Sequence, residues 1–381
     1  MMDGITDTCP KTCRWVVGCM TGTSVDAIDA ALCEMSQVEG QLSAACVARA
    51  SVSLGSLRAD LLAMAEGQPH EPSAFVRAAR YLGSLHADLG ERLCAESLPR
   101  DASLDLLVAH GQTICHLPEA GRARGEPGLS WQLFDPWPAV RRLSVPVLYD
   151  LRQADLIAGG QGAPITPIAD VTLFGGQCDW VINLGGICNI SDLRGSPTGR
   201  DVAPCNLLID QVVQQLFPGM TFDEGGAIAA TGRVHCDLFA PLRSLLPGQR
   251  LVSLGREDFG AAHVRPLVEQ ARARWSAPDI VASAVSFVAT AIGGCVRGGA
   301  AKRVVLAGGG VLNQALVSAI RAACPGQCEV LTSDELGIEP QARESVCMAV
   351  LGAHCAAGVP ITHASTTGAS SPGRAGVWAY P

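Results

Sequence analysis

Trp15-Val-Val-Gly-Cys-Met-Thr-Gly-Thr-Ser-Val-Asp-Ala-Ile-Asp-Ala-Ala-Leu-Cys33 reads as an apolar strand, a turn of small and hydroxyl-bearing residues, and a second strand. A short, continuous apolar run suits a strand buried on both faces of a sheet. The layout returns at Trp180-Val-Ile-Asn-Leu184, with Gly185-Gly186 as the turn and Ile187 to Leu193 as the second strand. A third strand, Arg303 to Ala307, meets Gly308-Gly309-Gly310, and the spacing predicts a helix over Asn313 to Ala323. Outward from these, 42–54, Leu104–Ala109 and Pro146–Tyr149 read as strands. Apolar residues at helical spacing predict helices over 56–66, 72–95, 206–217, 234–246, 262–273, 278–297 and about 340–357. Residues 119–130 read as a loop, and the chain closes on a Gly/Ser/Pro-rich tail. The pattern is two α/β halves, 14–170 and 171–381, each opening on a hairpin with a small-residue turn.

Composition narrows the function classes. Of 381 residues, 48% are hydrophobic but only 4% aromatic, so the core must be aliphatic. A net charge of −8 disfavours a nucleic-acid partner. No run of about 20 apolar residues is evident, and residues 1–14 lack a signal-peptide pattern, so a cytoplasmic location without membrane association is expected. The 16 cysteines have no C-x-x-C spacing and are read as small buried apolar residues.

Met20–Asp26, Leu184–Ser191 and Gly308–Asn313 each follow an apolar strand. Glycine admits positive φ and close approach, and successive backbone N–H groups make a concavity for anions. Neither a P-loop sequence nor a G-x-G-x-x-G turn is present. Two strand–turn–strand loops and a later strand–GGG–helix loop resemble the actin/hexokinase/Hsp70 superfamily. That resemblance implies a two-domain actin-like ATPase (ribonuclease H-like) fold with a central nucleotide cleft.

Gly18-Cys-Met-Thr-Gly-Thr-Ser-Val-Asp-Ala-Ile-Asp29 resembles the G-x-M-S-G-T-S-x-D-G-x-D signature of the anhydro-N-acetylmuramic acid kinases. Further motifs of that family follow in order. They are His110-Gly-Gln-Thr113, Asp150-Leu-Arg-Gln-Ala-Asp155, Gly159-Gly-Gln-Gly-Ala-Pro164 and Asn183-Leu-Gly-Gly-Ile-Cys-Asn189. Asp201-Val-Ala-Pro-Cys-Asn206 with Asp210, Gly255-Arg-Glu257, Gly308-Gly-Gly310 with Asn313, and Glu344 complete the series. The resemblance covers about residues 14–381.

It implies an ATP-dependent, Mg²⁺-dependent enzyme of peptidoglycan recycling. The kinase phosphorylates O6 of 1,6-anhydro-N-acetylmuramic acid while water opens the anhydro bridge at C1. Attack of water at an acetal carbon calls for a carboxylate base, and Asp201 matches the family base. Thr21, Gly22, Thr23, Ser24, Val25, Asp26, Ala27, Ile28, Gly185, Gly186, Asn189, Gly308, Gly309, Gly310 and Asn313 match nucleotide-binding positions. Asp26 and Glu344 match positions suited to Mg²⁺. His110, Gln112, Arg152 and Gln161 are candidates for the sugar, Arg152 for its lactyl carboxylate. His116, His235 and Cys115 are read as ordinary structural residues and Asp210 as structural. A homodimer is implied by the resemblance alone.

Ala27, Ala203 and Cys205 stand where the family has glycine, the last two beside the expected base. A glycine held at positive φ does not accept a side chain without strain. Val252 and Ser253 replace an expected Lys and Ser/Thr. A kinase for another anhydro-sugar, such as levoglucosan, and a non-catalytic nucleotide-binding regulator remain open alternatives.

Overall fold

The computed structural model describes residues 13–22, 25–38, 41–118, 125–246, 261–371 and 375–381. Thr23, Ser24, Val252, Ser253, the motif Gly255-Arg256-Glu257 and the first twelve residues lie outside that set. The chain divides into two compact units: Met1–Leu173 with Glu344–Pro381, and Phe174–Arg343. The sequence reading kept 171–381 together; the structure returns the last segment to the first unit.

The first unit contains β1 (Trp15–Thr21), β2 (Ala27–Val38), β3 (Gln41–Ser53), β4 (Leu106–Ala109), β5 (Gln112–Leu117), β6 (Leu129–Leu133) and β7 (Val147–Tyr149). The second contains β8 (Trp180–Leu184), β9 (Ile187–Asp192), β10 (Thr198–Pro204), β11 (Arg303–Ala307) and β12 (Glu329–Thr332). β13 (Val377–Ala379) lies in the C-terminal segment of the first unit.

The first unit's main sheet has the order β13-β7-β4-β1-β2-β3, and the second unit's β10-β9-β8-β11-β12. In each, three antiparallel strands are followed by two parallel ones. β13 adds an antiparallel edge to the first sheet through β7. The repeated order is the ribonuclease H-like arrangement of the actin-like ATPases, so the echo between the halves extends to topology.

β1 sits mid-sheet and is almost wholly buried. Helices therefore cover both faces, as parallel pairing requires. Helix Pro72–Ser97 starts with proline in its first turn, where no intrahelical N–H bond is lost. It buries Leu82, Leu85, Leu89 and Leu93 along one stripe. On β1, Gly18 lies so close to helix Arg343–Ala356 that an added Cβ would stand 2.1 Å from Ser345 O. This contact explains why the C-terminal segment joins the first unit.

In the second unit, helix Ala277–Gly299 opens with a Ser276/Asp279 capping box. It is long and apolar enough to cross a membrane by length and composition, with mean hydropathy 1.8. That departs from the expectation that no such run exists. Of its most apolar stretch, 67% is buried within the protein. It packs with Val212, Ile320 and their neighbours in the second unit's core.

Other expectations change locally. Residues 234–246 hold turns and a short 3₁₀ helix, Ala240–Leu245, instead of an α-helix. The β5–β6 hairpin and β10 are strands that the apolar pattern did not announce. The cysteines are also less uniformly buried than expected: Cys236 is exposed and Cys46, Cys94, Cys115 and Cys295 are half-buried.

Candidate active site

In the first unit, β1 delivers Thr21 and Gly22, and β2 begins at Ala27 and Ile28. Thr21 is buried, and its Oγ1 has no hydrogen-bond partner among the described residues. Val25 is held at φ +54, a conformation that strains a β-branched side chain. Its N–H donates to Gly22 O at 3.3 Å, closing the turn. Such strain persists where surrounding structure enforces it, commonly at ligand sites. Asp26 is exposed, and its Oδ1 accepts from Ala27 N–H.

His110 follows β4, anchored by its N–H to Cys19 O at 3.1 Å. Arg152 donates twice to His110 Nε2, from Nη2 at 2.7 Å and from Nε at 3.1 Å. A guanidinium only donates, so Nε2 must be the unprotonated ring nitrogen. His110 Nδ1–H then donates to Gly111 O at 2.8 Å. Burial, reinforced by Arg152, pushes the imidazole down to about 3 and keeps it neutral. Burial also draws Arg152 down to about 10, opposed by the carboxylates of Glu344, Asp150 and Asp155. Arg152 thus remains the cation of a set that includes Glu344.

The glycine-rich 159–164 loop is built around Asp155. Asp155 Oδ2 accepts from Gly162 N–H at 2.7 Å, and Oδ1 from Thr367 Oγ1 at 2.6 Å. Gly162, at φ +68, gives its carbonyl to Arg152 Nη1 at 2.7 Å. Gln161 N–H donates to Thr367 O. Asp155 and Thr367 position the loop yet drew no role from sequence. The first was visible as a motif residue; the second carried no signal.

In the second unit, the Gly185-Gly186 turn caps helix Asn206–Leu216. Gly185 O accepts from Asn206 N–H, and Gly186 O from Cys205 and Leu207 N–H. Gly308, at φ +85, and Gly310 lie against β8. A Cβ would reach 2.6 Å from Asn183 Oδ1 at the first and 2.7 Å from Leu184 Cβ at the second. Glycine is required there for conformation and close approach respectively. Asn313 caps helix Gln314–Ala323 by accepting from Leu316 N–H at 3.0 Å. The loops around Gly185 and Gly308 therefore form one assembly. Next to it lies a cavity of about 630 Å³ lined by Gly225, Gly226, Ser286, Thr290, Gln314 and Ala315, among others. These residues were not anticipated; the Gly225-Gly226 pair was the available cue.

Asp201 lies on β10 opposite Asn189 of β9, where a register irregularity separates Asp201 from Ala203. A bulge re-aims a strand side chain. The residue is therefore a strand carboxylate, with Cys205 at the N-cap of the following helix. Ala203 and Cys205 are fully buried, and neither has positive φ. Replacing the family glycines therefore introduces no left-handed strain beside Asp201. Burial pushes the Cys205 thiol up to about 12, so it stays protonated and unreactive.

Asp210, on the same helix, is pushed up to about 7 by burial and then by Asp223. The folded state keeps a proton that the unfolded chain releases near pH 4. Stability contributed by this proton is present in acid and lost as pH rises through about 7. Asp210→Asn is expected to raise the melting temperature by several degrees at pH 8 and little at pH 4, measured by calorimetry.

Of the residues singled out from the sequence, Thr21, Gly22, Val25, Asp26, Ala27, Ile28, His110, Gln112, Arg152, Gln161 and Glu344 belong to the first unit. Gly185, Gly186, Asn189, Asp201, Gly308, Gly309, Gly310 and Asn313 lie in the second. No cluster of three or more potential metal-ligating side chains occurs among the described residues.

The sequence profile of the family described as Anhydro-N-acetylmuramic acid kinase matches residues 14–381. A curated relative of that name from Prochlorococcus marinus (strain MIT 9303) is 33% identical over 368 residues, 89% of this chain and 93% of the relative. One from Salinibacter ruber is 32% identical over 391 residues, 97% of each chain. Another, from Xanthomonas campestris pv. campestris (strain 8004), is 33% identical and covers 93% of this chain and 94% of its own. With its motifs in order and its profile matched almost end to end, this chain belongs to the anhydro-N-acetylmuramic acid kinase family.

Proposed function

We propose that this protein is an ATP-dependent kinase acting on 1,6-anhydro-N-acetylmuramic acid. Its reaction phosphorylates O6 and adds water at C1, giving N-acetylmuramic acid 6-phosphate and ADP. The observation that carries the choice of sugar is Arg152, fixed by His110 and Gly162 in the motif loop. A guanidinium so placed suits the lactyl carboxylate of a muramic sugar. Levoglucosan offers no carboxylate to it.

Asp201 is the general base: it takes a proton from water, whose oxygen bonds to C1 as the C1–O6 bond breaks. O6 leaves onto the γ-phosphoryl group of ATP. Within the first unit, Thr21 Oγ1, with no partner among the described residues, supports a donor to a phosphate oxygen; within the second, the cavity beside Gln314 supports room for part of the nucleotide. The glycines against β8 keep that region open to a phosphate chain. Asp26 and Glu344 would hold Mg²⁺, which supplies charge neutralisation on the phosphates.

Incubation with ATP, Mg²⁺ and 1,6-anhydro-N-acetylmuramic acid in ¹⁸O-water tests the reading by mass spectrometry. Quick sampling should give a 6-phosphate with one ¹⁸O at C1. An unchanged sugar beside bound ATP would overturn it.

A further inference from the structure

The inner face of the β5–β6 hairpin carries polar side chains with no part in the roles assigned above. Thr113 pairs with Gln132, and His116 with Ser130. Gln132 Nε2 donates to Ser130 Oγ at 2.8 Å and reaches Thr113 Oγ1 at 3.4 Å. Ser130 Oγ donates its one proton to Cys115 O at 3.3 Å. It is therefore an acceptor toward His116 Nδ1 at 3.0 Å. His116 accordingly carries its proton on Nδ1 and exposes a lone pair at Nε2.

Two acceptors follow, His116 Nε2 and Gln132 Oε1, both buried and both without a partner among the described residues. Gln132 is only 7% exposed. Leaving such atoms unpaired in a folded core costs free energy, so each calls for a donor. Gln112 Oε1 and Asp150 Oδ1 are buried acceptors in the same condition. The hairpin face also borders the motif loop. A Cβ on Gly162 would lie 3.4 Å from His116 Cε1, and Gln153 Nε2 donates to Ser130 O. Burial, and after it the positive charge of Arg152, pushes His116 down to about 4, which keeps the ring neutral and its lone pair available.

We propose that His116 Nε2 and Gln132 Oε1 are substrate contacts that read the two hydrogen-bond donors of the sugar. The proposal rests on the function given above. In 1,6-anhydro-N-acetylmuramic acid, a single oxygen, O6, bridges C1 and C6, O5 is the ring oxygen and O3 carries the lactyl ether. The O4 hydroxyl and the acetamido N–H are the donors left on the sugar at neutral pH. Two bare acceptors on one hairpin face match two donors on the ligand. The lactyl carboxylate, which only accepts, goes to Arg152.

The test is steady-state kinetics with the natural sugar and its 4-deoxy analogue. His116→Asn retains an N–H for Ser130 and leaves no acceptor at the position of Nε2; Gln132→Met retains volume and removes its own. Each variant should raise KM for the sugar about ten-fold while KM for ATP changes less than about two-fold. Wild type should discriminate against the 4-deoxy sugar. One of the variants should lose that discrimination and the other keep it, an outcome that loosened packing would not produce. Unchanged sugar KM and discrimination in both variants, with wild-type melting temperatures, would overturn the proposal and leave the kinase reading intact. If one variant fails to fold, loss or retention of the KM effect in the other decides. A wild-type enzyme that turns over neither sugar would remove the underlying function, and this assignment with it.

Discussion

An Asp201→Asn variant is expected to lose about a thousand-fold in kcat while keeping its fold and its affinity for nucleotide. The substitution is isosteric and removes the charge and the basicity of the carboxylate. The bulge between Asp201 and Ala203, and the pairing with Asn189, are backbone features that it leaves in place. Melting temperature and ATP affinity should therefore match wild type. Quenched-flow or coupled-assay kinetics on 1,6-anhydro-N-acetylmuramic acid would check the loss. A variant retaining more than about a tenth of wild-type kcat would place the base elsewhere, since general-base removal rarely costs less than about a hundred-fold.

Gly18→Ala is expected to cause a large loss of stability for a single methyl group. Its Cβ would stand 2.1 Å from Ser345 O, 2.4 Å from Ala349 N and 2.9 Å from Ala349 Cβ. Two of these are backbone atoms of helix Arg343–Ala356, so no rotamer change relieves them. The helix must move away from β1, or β1 from its partners β2 and β4. Overpacking of this kind costs about 3 kcal/mol or more. Thermal and urea unfolding would measure it. Gly294→Ala is the control: it lies in helix Ala277–Gly299, and a Cβ there meets nothing within 4 Å. It should stabilise the protein by about 0.5–1 kcal/mol, through the lower backbone entropy of the unfolded chain. Equal effects at both positions would remove the close approach as the reason for glycine at 18.

The two central strands were legible because burial on both faces writes a continuous apolar run. Trp15–Cys19 and Trp180–Leu184 are such runs, and the small-residue turns after them marked the repeat. The order of motifs was enough to point to the family and to Asp201. β10 was not legible. Thr-Gly-Arg-Asp-Val-Ala-Pro204 has no clean alternation, and its strand character comes from pairing with β9. The β5–β6 hairpin was missed for a related reason: its inner face is polar, so a period of two carried no hydrophobic signal. His116 passed for an ordinary histidine, because its tautomer depends on Ser130, a residue 14 positions away.

Local chemistry along the chain was therefore sufficient for the family, the fold class and the repeated strand–turn–strand layout. Three things required tertiary structure. The segment Glu344–Pro381 joins the first unit because Gly18 leaves room for helix Arg343–Ala356 against β1. Ala203 and Cys205 are tolerated because neither backbone position is left-handed, a property of φ that residue identity does not reveal. The protonation of His110 and Cys205, and the orientation of His116, follow from burial and from partners distant in sequence. Desolvation and hydrogen bonding act through space, and only the folded chain determines which atoms are neighbours.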